Sequence, residues 1–307
     1  MRAAFLFAAT SVLVAGCGSC SRKEETPSAD AAPVATTIPD AAPLNVTTIP
    51  IAQVQKAVNP EKLPAYVGPT GSVEGTIRVD GARAKSLGLS PATYTQCPAA
   101  EAFYGREFRE GEPPPDKPDG PRWLADAIAI VTGYSGFFVP ETKEARLVTI
   151  EGCGYATRTV TMTYGQRLEV QNKTKEFWTP DLVPRDPGAL MMATPGGDPT
   201  KLYPKHPGRY QLVDHDRKYV VDDLFVLQYP LHAVSDGAGK FRIDGIPVGK
   251  RKLTVTHPAI ADVIAQREID VRDGVVTPVE LMLHNKESAG PKDAGDDSGW
   301  VPVPGLH

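Results

Sequence analysis

Through most of the middle of this chain, apolar and polar residues alternate with a period of two. Val160, Met162 and Tyr164 alternate with Thr159, Thr161 and Thr163, and Leu168 and Val170 follow after Gly165. Phe241 with Ile243, Leu253 with Val255, Ile269 with Val271, and Val279 with Leu281 and Leu283 repeat the pattern. Successive side chains of a strand point to opposite faces, so this alternation predicts half-buried antiparallel strands. Segments 127–131 and 219–227 are denser in apolar residues and read as central strands. The pairs Asp80-Gly81, Asp236-Gly237, Asp244-Gly245 and Asp273-Gly274 supply the turns between them. A helix is readable at 259–267, although that segment fits a loop and an edge strand equally well. The expected fold class is all-β, built as antiparallel β-sandwiches over residues 70–284.

Outside that body the composition changes. Residues 17–69 are rich in Ala, Thr, Pro and Ser, and "TPSADAAPVATTIPDAAP" holds too little apolar surface to offset the entropy of folding. They predict a disordered tether with at most a short helix at 51–58, and 285–307 predicts a disordered tail. The run "EPPPDKPDGP" (112–121) predicts an exposed loop, because consecutive prolines donate nothing to a ladder.

At the amino end, Arg2 precedes an apolar run over 3–14, followed by Ala15, Gly16 and Cys17. The run is shorter than the roughly 20 residues a spanning helix needs, and it reads as a signal peptide over 1–16. The small pair directly before Cys17 resembles the bacterial lipobox. The resemblance implies acylation of Cys17, which becomes the first residue of the mature chain and anchors it to a membrane; palmitate is one expected acyl group. Each buried methylene contributes about 0.8 kcal/mol, so two or more chains anchor stably. Gly18, where lipoproteins kept at the inner membrane carry Asp, favours the outer membrane of the cell envelope and leaves the face open. Loss of 1–16 removes Arg2 alone, taking the formal charge from -4 to -5. A mildly acidic body with scattered basic residues argues against a nucleic-acid partner. With Cys17 acylated in an oxidising compartment, Cys97 and Cys153 are natural disulfide partners, and Cys20 is left over.

Two family resemblances fall inside the β body. "AVSDGAGKFRIDGIPVGKRKLTV" (233–255) resembles the core of a carboxypeptidase regulatory-like domain, a transthyretin-like sandwich. "GSVEGTIRVDGA" (71–82) and "LADAIAIVTG" (124–133) resemble its first strands. This implies one sandwich split between 70–133 and 233–284, with 134–232 inserted. The inserted run "VTIEGCGYATRTVTMTYGQRLEVQNKT" (148–174) and "PKHPGRYQLVDHD" (204–216) resemble a plastocyanin-like cupredoxin.

That family implies copper held by a Cys thiolate and two imidazoles with a weak axial Met. Here the first His position falls at Glu176, Phe177 and Trp178, the Cys position near Leu212, and the Met position near Lys218. Only His215 sits in a ligand-like place, and one imidazole does not hold copper in such a site. Asp214, His215 and Asp216 are the remaining metal candidates, more simply a charged turn. His206, His232 and His257 read as surface or capping residues.

No nucleophile elbow, phosphate loop, His-Glu-x-x-His or two-Cys metal pair occurs, so no enzyme is expected. The expected function is a non-catalytic, membrane-anchored lipoprotein whose β body binds an envelope protein or glycan. Its candidate surfaces are the 112–121 loop and the 175–208 segment, with Phe177, Trp178, Leu190, Met191, Met192 and Tyr203. The same side chains fit a cap on the open end of a sandwich, and both readings stand. The rival function is a copper-binding or electron-transfer protein, with copper as its cofactor.

Overall fold

The structure is a computed structural model that describes residues 49–118, 120–140, 144–184 and 190–286. The signal segment, Cys17 and Cys20 lie outside the described residues, as does the tail beyond Lys286. The chain begins with helix α1 (Ile51–Val58), strand β1 (Thr70–Gly81), helices α2 (Pro91–Gln96) and α3 (Ala100–Tyr104), then β2 (Arg122–Trp123) and β3 (Ile128–Thr132). It continues through β4 (Arg146–Glu151), β5 (Gly154–Tyr155), β6 (Thr159–Thr163), β7 (Leu168–Asn172), β8 (Pro180–Val183) and β9 (Thr200–Leu202). Next come β10 (Gly208–Asp214), β11 (Val221–Leu227) and β12 (His232–Val234). The last strands are β13 (Lys240–Pro247), β14 (Gly249–His257), β15 (Ile260–Val271) and β16 (Val276–Asn285).

The fold is all-β, with two pairs of sheets. In the first sandwich, β1 pairs with β13, β16 and β2, facing a sheet of order β12-β3-β14-β15. Between them lies an aliphatic core that includes Val73, Ile77, Leu124, Val131, Ile243, Leu253 and Leu283. Strands β4–β11 pair among themselves as β6-β11-β10-β8 and β5-β4-β7-β9, and close over a second core. Three of the four sheets are mixed, because β1–β16, β4–β7 and β6–β11 run parallel, and the β12-β3-β14-β15 sheet is antiparallel throughout. Segment 260–271 is a strand, paired along its length with β14.

Three of the Asp-Gly turns carry the positive φ that glycine tolerates. The turn after β12 instead places it at Gly239 (φ 73°), where an added Cβ would stand 2.6 Å from the Ile77 carbonyl oxygen. The short helix readable at 51–58 forms, as α1. Helix α1 buries Val54 in the second core, against Gly165, where an added Cβ would lie 2.7 Å from the Val54 side chain. An eight-residue helix is marginal alone, so this tertiary contact is what stabilises it.

The two sandwiches share a seam. Ile128 and Ile130 of β3 meet Phe225 and Leu227 of β11. The Asp126 carboxylate accepts from Arg109 at 2.7 Å and from the Arg158 backbone N–H at 3.2 Å, bridging the two. Tyr104 of α3 crosses into the second core, and the Cys97–Cys153 disulfide, with Cα atoms 5.8 Å apart, ties the α2–α3 excursion to the β4–β5 turn. Strand β6 is therefore buried on both faces, and Thr159, Thr161 and Thr163 do not face solvent as the alternation predicts.

Candidate functional site

The end of the second sandwich that the sequence singled out is organised by Asn172. Its buried amide donates to the carbonyls of Glu176 (2.7 Å) and Ala193 (2.8 Å), and its oxygen accepts from Thr174 N–H (2.9 Å). This folds the 173–177 loop so that Trp178 and Ala193 form a two-bond antiparallel bridge. Alternation across the bridge turns Trp178 and Ala193 inward, both 1% exposed, and turns Phe177 and Met192 out, both 58% exposed. Trp178 therefore does not belong to the surface patch. It is a core residue whose indole N–H donates to Thr174 Oγ1 at 2.9 Å. Leu190 and Met191 are exposed beside Met192, whereas Tyr203 is half-buried.

The Arg217 guanidinium lies 3.8 Å over the Trp178 ring. It pairs with Glu176, donates to the Phe177 carbonyl at 3.2 Å, and reaches Asp214 at 3.4 Å. Asp214 is buried and fully engaged, accepting from the backbone N–H groups of Thr179 (2.7 Å), Arg217 (2.8 Å) and Asp216 (3.1 Å). His215 is half-exposed, with Nε2 2.9 Å from Asp181 Oδ2.

These residues do not fit copper. Leu212 is fully buried hydrocarbon in β10, the first imidazole position holds Trp178 and its neighbours, and the fixed charge of Arg217 stands beside them. Among the described residues no group of three or more His, Cys, Asp or Glu is placed to hold a metal ion. His215 has Asp181 for company, but neither thiolate nor second imidazole. The 214–216 turn is a hydrogen-bonded hairpin end.

The other histidines separate. His206 is exposed, and His257 is buried against Phe108 with its rings 5.6 Å apart. His232 is half-buried: its two ring nitrogens meet Thr161 Oγ1 (2.9 Å) and Thr163 Oγ1 (3.2 Å) across the seam. Burial, with Arg146 nearby, pushes the His232 imidazole down to about 4, so it is neutral at pH 7. One wall of a cleft of about 670 Å³ is built here, with Arg146, Lys240 and Arg242 along it. No local sequence signal announces this clamp, since its halves come from strands about 70 residues apart in the chain.

No protein family model matches the chain, and no curated protein matches it either. Among solved structures it is similar to a reduced amicyanin mutant, with 15% identity over 32% of this chain and 98% of that one, at a TM-score of 0.26. A novel purple cupredoxin from Nitrosopumilus maritimus shows 12% identity over 27% of this chain and 99% of that one, with a TM-score of 0.23. A Cu-containing nitrite reductase (NirK) from Thermus scotoductus SA-01 shows 12% identity over 32% of this chain, with a TM-score of 0.24, and the match spans 25% of that protein's length.

Proposed function

We propose that this chain is a non-catalytic, lipid-anchored protein of the cell envelope whose β body is a contact module rather than a redox centre. The observation that carries the reading is Arg217, stacked on Trp178 and paired with Glu176 and Asp214 where a copper protein of the resembled family keeps its ligands. A site filled by a satisfied guanidinium is structural, and beside it Phe177, Leu190, Met191 and Met192 are exposed. Exposed aromatics and methionines suit adaptable contact with another surface. The anchor is Cys17, acylated after removal of 1–16, with the outer membrane the favoured location and an envelope protein or glycan the partner. The first sandwich is regulatory-like: the Asp236 carboxylate caps its turn by accepting from Ala238 N–H (2.8 Å) and Lys240 N–H (2.9 Å), which supports that reading.

The test is metal analysis of the purified protein after exposure to Cu(II), together with its visible spectrum. The expected result is a colourless protein without stoichiometric copper. An intense visible band, lost in His215→Ala, establishes the electron-transfer reading instead. For the anchor, labelled palmitate is expected in the natural chain and absent from Cys17→Ser, which moves from the detergent phase to the aqueous one.

A further inference from the structure

A second cleft, of about 320 Å³, lies where the chain passes between the sandwiches after α1, after β3 and after β11. One wall is the segment after β3, with Tyr134, Phe137 and Phe138; the second is Gln228 and Tyr229 after β11; the third is the end of α1 with Asn59 and Glu61. The walls are tied in place. Phe138 exchanges backbone hydrogen bonds with Pro64 and Tyr66 at 3.0 and 2.9 Å. Phe137 packs on Tyr66 with ring centroids 4.6 Å apart and lies nearly parallel to Tyr134, at 11° and 5.5 Å. Among the described residues the lining contains no lysine, arginine or histidine and one carboxylate, Glu61.

Neither the Tyr134 nor the Tyr229 hydroxyl has a hydrogen-bond partner among the described residues. Burial, and then the neighbouring Tyr229, push the Tyr134 phenol up to about 12, so it stays a protonated donor at any physiological pH. Arg251, whose charge reaches Tyr134, is itself taken up by the carbonyls of Pro247 and Lys250 at 2.9 and 2.8 Å. Aromatic faces, two idle phenols, the Gln228 amide and one carboxylate, with no cation among the described lining residues, make a surface of distinct chemistry. It suits a ligand with apolar C–H faces and many neutral groups that both donate and accept. It repels anions.

We propose that this cleft binds a neutral saccharide, one or two rings seated on Tyr134 and Phe137 with hydroxyls bonded to Tyr134, Tyr229 and Glu61. The volume is at the low end of the roughly 300–1,000 Å³ of small-molecule sites, which matches a short saccharide segment. The proposal rests on the reading of the body as a binding module, but uses a surface remote in sequence from Phe177 and Met192.

The experiment is calorimetric titration of the full chain, held in a detergent without sugar headgroups, with cellotriose, maltotriose and triacetylchitotriose. At least one is expected to bind with a Kd of about 1 mM or tighter. Tyr134→Phe keeps the ring and removes one hydrogen bond, so binding weakens about 2- to 12-fold. Phe137→Ala abolishes it, and Glu268→Ala, at an exposed position of β15 outside the cleft, leaves it unchanged. Absence of binding by all three sugars, binding indifferent to Tyr134→Phe, or binding of decaproline or tetramethylammonium in their place overturns the proposal. None of these results bears on copper or on palmitate at Cys17, so the cleft fails separately from the anchored-module reading.

Discussion

One carboxylate from each sandwich, Glu110 and Asp222, shows buried charge kept in opposite ways. At the edge of the first, Glu110 is buried with every oxygen engaged: Arg83 Nε at 2.7 Å and Ala84 N–H at 3.1 Å on one, Arg122 Nε at 2.7 Å on the other. Arg122 completes its own set on the carbonyls of Gly120 (3.0 Å) and Ala82 (3.2 Å). The second sandwich buries Asp222 in full, and no hydrogen bond of ordinary geometry reaches either carboxylate oxygen. Their cores differ in the same sense. The first buries two aromatic side chains, Phe108 and Phe241, and the second buries five, Tyr104, Tyr155, Tyr164, Trp178 and Tyr210. The contrast is one of these carboxylates and of aromatic content, since buried atoms without a hydrogen bond also occur in the first sandwich, at Thr254 Oγ1, His257 Nε2 and Asn285 Oδ1.

The largest effect is expected where the Glu110 pair is cut. Arg122→Ala leaves Glu110 buried without its main partner, at a cost of about 3–5 kcal/mol by denaturant unfolding. Replacing both ends, with Arg122→Met and Glu110→Leu, is expected to recover most of that loss, because a hydrophobic pair carries no desolvation cost. A single variant that unfolds no more easily than the natural chain means the pair is solvated and the contrast between sandwiches is false.

Next in size is the covalent tie. The disulfide spans a sequence separation of 56, and its loss through Cys97→Ser with Cys153→Ser is expected to cost about 2–4 kcal/mol. The loss should be concentrated in the second sandwich, because the tie holds α3 and Tyr104 over that core. Hydrogen exchange reads this directly: amides of β5 and β11 should lose protection before those of β1 and β16. Uniform loss across both sandwiches shows that the seam, not the disulfide, couples them.

A third contrast appears in pH. Burial first, and then the nearby carboxylates of Asp126 and Asp223, raise the Asp222 carboxyl well above its ordinary value, against Arg158 and the Tyr104 hydroxyl. The folded chain thus holds a proton that the unfolded chain releases near pH 4, and this contribution to stability is lost as pH rises toward the raised value. Asp222→Asn is expected to gain on the natural chain by about 1.4 kcal/mol per pH unit above the ordinary carboxylate range. In the first sandwich the sign is reversed. Burial depresses His257 to about 4, although Asp126 opposes the shift. The unfolded histidine takes its proton near 6.5, so stability falls as pH drops from about 6.5 to 4, by up to about 1.4 kcal/mol per unit. Urea unfolding of the natural chain, Asp222→Asn and His257→Gln across pH separates the slopes, and a parallel response of the two variants refutes the assignment.

What the sequence could disclose is bounded by range. Alternation in β6 marks Val160 and Met162 as core, but it cannot tell solvent from a second sheet, so it points its threonines to solvent although His232 meets Thr161 and Thr163. The same limit hides the parallel pairing of β1 with β16, whose partners are about 200 residues apart. Phe177 and Trp178 look alike in sequence. Only the bridge to Ala193 decides that one faces water and the other the core. Cysteine arithmetic did find the Cys97–Cys153 pair, because few partners were available.

The smallest predicted effect bears on the proposed function. Arg217 is partly exposed, with side-chain exposure of 17%, and Glu176 opposite it is largely in solvent at 72%, so their ion pair is screened. What Arg217→Ala removes is the stack on Trp178 and one partner of Asp214, which keeps its three backbone donors. The expected loss is about 1–2 kcal/mol, with the fold retained. Trp178 fluorescence should shift to the red as water reaches the ring. If the guanidinium is structural, the variant still takes up no copper, since removing a cation supplies neither thiolate nor second imidazole. Stoichiometric uptake in Arg217→Ala, with His215 required for it, reveals a ligand set held closed by Arg217. The second sandwich is then a blocked metal site rather than a structural end.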